Sequence, residues 1–414
     1  MLPAWLWNGA NDGFGHLKQQ GQGAKKFATA GKSYGNRSER WLWTFEATGT
    51  RHGKFCDCGR KLWKAKQTTG CLHGSGTGGT IALDIWSNRD EKQGQEAVTR
   101  SGIMRIGVQT KNVVYDDRPE DGFRRLKQAG FSCADFSLNG YLTNISLYQG
   151  ERNAFFDKSI QELEQYFAPH KLGAAKAAIE INQMHMPYPN YVPGGTRELN
   201  AYLREVVAPK SLQVCAYFGC PHIVVHGFKL ARFLGSEEEE WNVMEQFLDF
   251  LAPMAKEMGI TICIENLYES TGGHIVEGPC CDAGKAAERI DRMNDRHHAE
   301  VLGFCFDTGH ANLVGLDFES FLTILGPRLK VLHIHDNDGV ADLHQIPFTF
   351  ARSRENKAST DWAGFVRGLR GSGFGGTLSF ETAPVLTAFP EEMKDEVLAF
   401  LAGIGNHFLR EIQH

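Results

Sequence analysis

Four short stretches carry groups that could do chemistry: Ile264-Glu265-Asn266, Phe306-Asp307-Thr308-Gly309-His310, His333-Ile334-His335-Asp336 and Phe380-Glu381-Thr382. Each ends an apolar run, so each sets a carboxylate or an imidazole where a buried strand stops. Two Glu, one Asp and one His, all oxygen or imidazole donors with no thiolate among them, suit a divalent cation of intermediate hardness: Mn²⁺, Mg²⁺, Co²⁺ or Zn²⁺. The expected set is Glu265, Asp307, His335 and Glu381, holding one such ion. Without a cation, three carboxylates this close would repel and some would take up protons. Read singly, a Glu at a strand end is a helix cap or an ion-pair partner, and a buried His is hydrogen-bonded core. The recurrence on consecutive strands is what favours a joint site.

The elements that must position these groups follow a regular pattern. Candidate strands span 104–109, 133–138, 177–184, 222–227, 261–265, 302–307, 329–335 and 376–381, and helical periods lie near 119–129, 154–169, 196–218, 237–258, 282–296, 317–326, 361–371 and 390–411. Thr196 and Asp361 sit where N-caps belong. This alternation predicts βα units around a parallel sheet. Eight pairs suit an α/β fold of the (β/α)8 TIM-barrel kind, whose active site lies at the carboxyl ends of the strands; a doubly wound open sheet is the alternative. Strands three to eight favour the barrel, because they end in His185, His226, Glu265, Asp307, His333 with His335, and Glu381. An open sheet would string these ends along a line, whereas a closed barrel gathers them at one mouth. The glycines of 371–376 precede strand eight, at the end away from that mouth, and read as a tight turn rather than a phosphate site.

Residues 1–103 differ in kind from 104–414. They hold 15 Lys and Arg against 8 Asp and Glu, a net +7, while the remainder holds 29 against 41, a net −12. They also contain six of the eight Trp and 17 of the 46 Gly, with neither apolar period sustained. An irregular extension, disordered or translated ahead of the natural start, is the expectation. Cys56, Cys58, Cys71 and His73 lack a standard zinc spacing and give only a weak metal reading. No apolar run approaches a membrane span, and the first residues do not resemble a signal peptide. Cys133, Cys215, Cys263 and Cys305 lie inside apolar runs, where reduced thiols act as small hydrophobes, so a cytoplasmic protein is expected.

The strand-end motifs, Glu265 in IEN, Asp307 and His310 in FDTGH, His335 in HIHDND and Glu381 in FETA, resemble those of the xylose isomerase-like TIM barrels. That superfamily includes sugar phosphate isomerases and epimerases, ketose 3-epimerases, inosose dehydratases and the AP endonuclease family 2. The resemblance covers 104–414. It implies a divalent metal on Glu265, Asp307, His335 and Glu381, with Glu265 and Glu381 as the catalytic carboxylates of an enediolate proton transfer in carbohydrate metabolism. His310 would then contact substrate, and His185, His226, His333 and His344 are further candidates for binding its hydroxyls. His185, His226, His310 and the pair Asp342 and His344 also resemble ligands of the three-zinc nuclease of the superfamily. A barrel of net −12 fits duplex DNA poorly, which disfavours nucleic acid as a partner. The implied substrate is a small sugar or polyol. A dehydratase, a zinc nuclease, a sugar-binding barrel without turnover, and a homo-oligomeric state stay open.

Overall fold

Eight parallel strands carry the candidate residues: β1 (Arg105–Gln109), β2 (Cys133–Ser137), β3 (Glu180–His185), β4 (His222–His226), β5 (Thr261–Glu265), β6 (Leu302–Asp307), β7 (Leu329–His333) and β8 (Thr377–Phe380). They form one sheet in the order β7-β6-β5-β4-β3-β2-β1-β8, and a parallel bridge between Ile334 and Phe380 brings its two ends together. Ile334 N–H donates to the Ser379 carbonyl at 2.9 Å, and Glu381 N–H to the Ile334 carbonyl at 3.1 Å. An open sheet would leave both edges unpaired, so the doubly wound alternative falls and the TIM barrel stands. The computed structural model describes residues 104–230, 236–350 and 359–414, and four strands before them, Trp5–Gly9, Phe14–Gln19, Phe27–Ser33 and Arg40–Glu46, paired in order as an antiparallel sheet. The other residues of 1–103, including Cys56, Cys58, Cys71 and His73, lie outside the described residues. The chain divides into two units, Met1–Glu96 and Ala97–His414.

The strands are short and apolar because helices cover them outside and side chains fill them inside. Every residue of β5 and β6 is buried. Val224, Cys263, Cys305 and Val331, one from each of β4 to β7, pack as a separate apolar layer. Each lies two residues before His226, Glu265, Asp307 or His333, so this layer plugs the barrel directly beneath the polar strand ends. Its two thiols serve as small hydrophobes, as their apolar neighbours predict.

Local chemistry sets the helix ends. Thr196 accepts from Leu199 N–H at 3.1 Å and Asp361 from Gly364 N–H at 2.9 Å, the two caps legible in the sequence. The helix expected at 154–169 instead spans Ile160–Ala177, because Ser159 and Glu162 form a reciprocal capping box and fix its start. It runs through Pro169 because Phe167, His170 and Ala174 are buried on its core face, which offsets the lost backbone bond. Strand three begins three residues later than expected for the same reason. The expected helix 196–218 is interrupted by a π turn over Leu203–Val207, just before Pro209. No helix of the described residues is long and apolar enough to cross a membrane.

Candidate active site

Strand β6 explains the run from Asp307 to His310. The strand ends at Asp307, and its carboxylate caps the following helix, α1 (Thr308–Val314), accepting from His310 N–H at 2.6 Å. Its second oxygen, Oδ2, is then free to face His335 Nε2 at 3.0 Å. Thr308 ties this turn to the end of β7: its hydroxyl donates to the His335 carbonyl at 2.7 Å and accepts from His335 N–H at 2.9 Å. Residue 309 must be glycine, since a Cβ there would sit inside the His335 ring. Asn266, next to Glu265, braces the same turn by donating to the Asp307 carbonyl and accepting from Asp307 N–H, at 2.9 and 2.8 Å.

Glu265 stands at the centre of the histidines. Its Oε1 lies 3.1 Å from His333 Nδ1 and 3.5 Å from His310 Nδ1, while Oε2 is approached by His226 Nε2 at 3.3 Å and His185 Nε2 at 3.6 Å. Glu381 enters from the end of β8. Its Oε1 accepts from Gln109 Nε2 at 2.8 Å and its Oε2 lies 3.2 Å from His333 Nδ1. The loop after β7 adds Asp342, whose Oδ2 lies 3.4 Å from His310 Nε2 and 3.1 Å from His344 Nε2. His344 stacks on His335 with ring centres 4.0 Å apart and bonds the Glu381 carbonyl through Nδ1 at 3.0 Å.

A cavity of about 420 Å³ opens above this cluster, and Glu265, Glu381, His185, His226, His310 and His344 are on its wall. Asp307, His333 and His335 are fully buried below it. Of the five imidazoles expected to touch substrate, four therefore face the cavity and His333 does not. Its nitrogens face carboxylates instead, Glu265 and Glu381 on one side and Asp135 Oδ2 at 3.2 Å on the other. Asp135 on β2 was not among the sequence candidates, nor were Gln109 on β1 and Gln183, which donates to Asp135 at 3.1 Å. The signal for them was a polar side chain inside or ending an apolar run, the same one that marked the other strands.

The donor chemistry fits a cation. Ligating atoms of Glu265, Asp307, His333 and Glu381 lie within 4.8 Å of one another, as do those of Asp307, His310 and His335, of His185, His226 and Glu265, and of His335, His344 and Glu381. The imidazole closest in with all three carboxylates is thus His333, while His335 meets Asp307 and, separately, Glu381. Glu265 Oε2, His335 Nδ1 and Asp342 Oδ1 are buried without a hydrogen-bond partner among the described residues. Orphaned acceptors of this kind are costly to bury and are what an ion would satisfy.

Electrostatics in the ion-free cluster are set by burial against pairing. Burial pushes the Glu265 carboxyl up, but His333 and His226 outweigh it and hold it well below the usual carboxylate range. Burial drives His226 well down, leaving a neutral imidazole. Burial also opposes charge on His310 and His344, yet Asp307 and Asp342 raise His310 to about 10, and Asp342 with Glu381 raises His344 to about 9. A raised folded-state pKa contributes stability that is complete below the ordinary value of 6.5 and is lost as pH rises through the folded value. Chelated protein is therefore expected to lose on the order of a few kcal/mol between about pH 7 and 10, visible as a falling Tm. Asp342→Asn should flatten that slope, and a Tm that stays level or rises over this range would refute the assignment.

A family model for the xylose isomerase-like TIM barrel matches residues 123–402. The uncharacterized protein MJ1188 of Methanocaldococcus jannaschii is 24% identical over 283 residues, 67% of this chain and 88% of that one. The uncharacterized protein y4fM of Sinorhizobium fredii is 25% identical over 174 residues, 41% of this chain and 50% of that one, so the match spans about half of that relative. Among solved structures, a D-psicose 3-epimerase in the presence of D-fructose aligns with a TM-score of 0.52 at 13% identity, covering 74% of this chain and 99% of that chain. The 3-keto-D-glucoside 4-epimerase YcjR from E. coli aligns at 0.51 and 15% identity, covering 72% and 99%. These structural likenesses show the shared barrel. With the matched span running from the first barrel helix to the last, this chain belongs to the xylose isomerase-like TIM barrel family.

Proposed function

We propose that this protein is a divalent-metal-dependent isomerase or epimerase of a small polyhydroxylated carbonyl compound. The observation that carries this is the convergence of two carboxylates from separate strands, Glu265 and Glu381, on one cavity above a bed of Asp307, His333 and His335. Glu265, Asp307, His335 and Glu381 would hold the ion, His335 reaching it from beside Asp307 and Glu381, while His333, which lies nearest all three carboxylates in the ion-free cluster, is packed against both glutamates. A divalent cation there supplies positive charge that polarises a substrate carbonyl and stabilises negative charge developing on its oxygen. Glu265 and Glu381 do the proton work: one takes the proton from the carbon beside the carbonyl, and the other returns it. Return to the opposite face of that carbon inverts it; return to the neighbouring carbon isomerises. Gln109 and His333 fix the Glu381 carboxylate, and His185, His226, His310 and His344 present ring nitrogens for hydroxyls along the cavity wall. The epimerase names of the solved relatives agree with this reading.

A second reading has an observation of its own. The three-residue donor groups around Glu265, Asp307 and His335 could hold more than one ion, as a zinc nuclease would require. The net charge of −12 beyond residue 103 weighs against a duplex substrate. Incubating metal-loaded protein with ketoses, aldoses and inososes in D₂O separates the readings. Deuterium next to the carbonyl is the expected result. A deoxy-keto product would mean dehydration. Three zinc ions per chain, with cleavage of an abasic-site duplex and no exchange into any sugar, would overturn the proposal in favour of the nuclease.

A further inference from the structure

The proton transfer proposed above gives no task to the lysines of the cavity, Lys111 and Lys229. Lys111 is exposed, but Lys229, three residues beyond His226 at the end of β4, is half-buried. Its ammonium stands 4.8 Å from the centre of the Tyr268 ring, and Tyr268 packs its ring 5.4 Å from that of His310. Among the described residues no carboxylate ion-pairs with Lys229 and no acceptor hydrogen-bonds it. The cavity's own carboxylates are occupied: Glu265 by histidines, Glu381 by Gln109 and His333, Asp342 by His310 and His344. A half-buried ammonium held over an aromatic face, with the charge of Glu269 acting on it but no acceptor bonded to it, keeps its N–H donors open to a ligand. The neutral ketose named for the D-psicose 3-epimerase would leave it so.

We propose that Lys229 binds an anionic substituent of the substrate, a phosphate monoester or a carboxylate, at the end of the sugar remote from its carbonyl. This rests on the isomerase reading and adds the class of sugar to it. The position is apt. Lys229, Tyr268 and His310 all line the one cavity that also holds Glu265 and Glu381, with the Tyr268 ring in contact with both the ammonium and the His310 ring.

The test uses the full metal-loaded chain and three forms of each active ketose or aldose: the neutral sugar, its terminal phosphate ester and its terminal carboxylate. KM is read from exchange in D₂O, and Kd, independently of turnover, from isothermal titration. One anionic form is expected to bind at least about tenfold more tightly than its neutral parent, the worth of one charge-assisted contact. Lys229→Met should collapse that ratio to about one, and Lys229→Arg should restore it. Which anion gains distinguishes the phosphate from the carboxylate source. The inference is overturned if no anionic form outbinds the neutral sugar, or if the preference survives in Lys229→Met with the variant's Tm unchanged. Lys229-dependent anion binding with no exchange would overturn the isomerase reading and keep the anion site. Exchange into neutral sugars with no anion preference would do the reverse.

Discussion

Protein carrying Asp307→Ala is expected to leave a chelator-free purification almost devoid of divalent metal, while the unaltered chain carries about one ion per molecule, in line with a site of one imidazole and three carboxylates. Even partners outside the coordination sphere are worth roughly 10- to 100-fold in metal affinity, so loss of a direct ligand should cost at least on the order of a hundredfold. Asp307 also does a second job. Its Oδ1 caps α1, and removing that cap costs about 0.5–2 kcal/mol regardless of any metal. Asp307→Asn separates the two, because asparagine is a good cap but lacks the charge. The Asn variant should melt above the Ala variant yet bind no more metal than it. Plasma mass spectrometry of the metal, with thermal melts taken with and without added ion, reads both effects; addition of metal should raise the Tm of the unaltered chain only. An Asn variant that holds metal like the unaltered chain would remove Asp307 from the ligand set.

Glu381→Gln is expected to abolish most deuterium exchange, by about 10²- to 10⁴-fold, the range that a positioned acid or base contributes. With metal added to saturation, because an amide ligates more weakly than the carboxylate, substrate binding should change by no more than about threefold, since an amide oxygen can still accept from Gln109 at the same place. Glu381 is the better of the two carboxylates to test. Its side chain is 15% exposed and that of Glu265 only 1%, with four imidazoles around Glu265. Glu265→Gln would disturb those imidazoles, so a loss of activity there would mix chemistry with folding. A Glu381→Gln protein that exchanges deuterium at the unaltered rate would sink the proposed proton transfer, whatever its metal content.

The site also shows which residues brace the reacting groups. Gln109 on β1, the strand beside β8, holds Glu381 from the cavity wall, while Asp135 on β2 and Gln183 on β3 hold His333 within the barrel. The apolar layer of Val224, Cys263, Cys305 and Val331 beneath them keeps water from the buried carboxylates, which strengthens every contact above it.

The sequence by itself determined the barrel and the mouth at which its polar groups meet. Strands buried on both faces read as apolar runs, so a carboxylate or imidazole ending one is conspicuous, and six consecutive ends of this kind have one compact arrangement. It also determined the local caps at Thr196 and Asp361, because a cap depends on residues three positions apart. Depth and partnership were decided by the tertiary structure. Alternation along β7 puts His333 and His335 on the same interior face, and nothing in the chain order says which of them joins the carboxylates. The register of β6 against β7 slips between Phe304 and Cys305 and so brings Asp307 opposite His333. That slip sets His333 among Glu265, Glu381 and Asp135, and leaves His335 above it against Asp307 and His344. Such a shift is fixed by how neighbouring strands pack around a closed ring, which no one strand's residues encode.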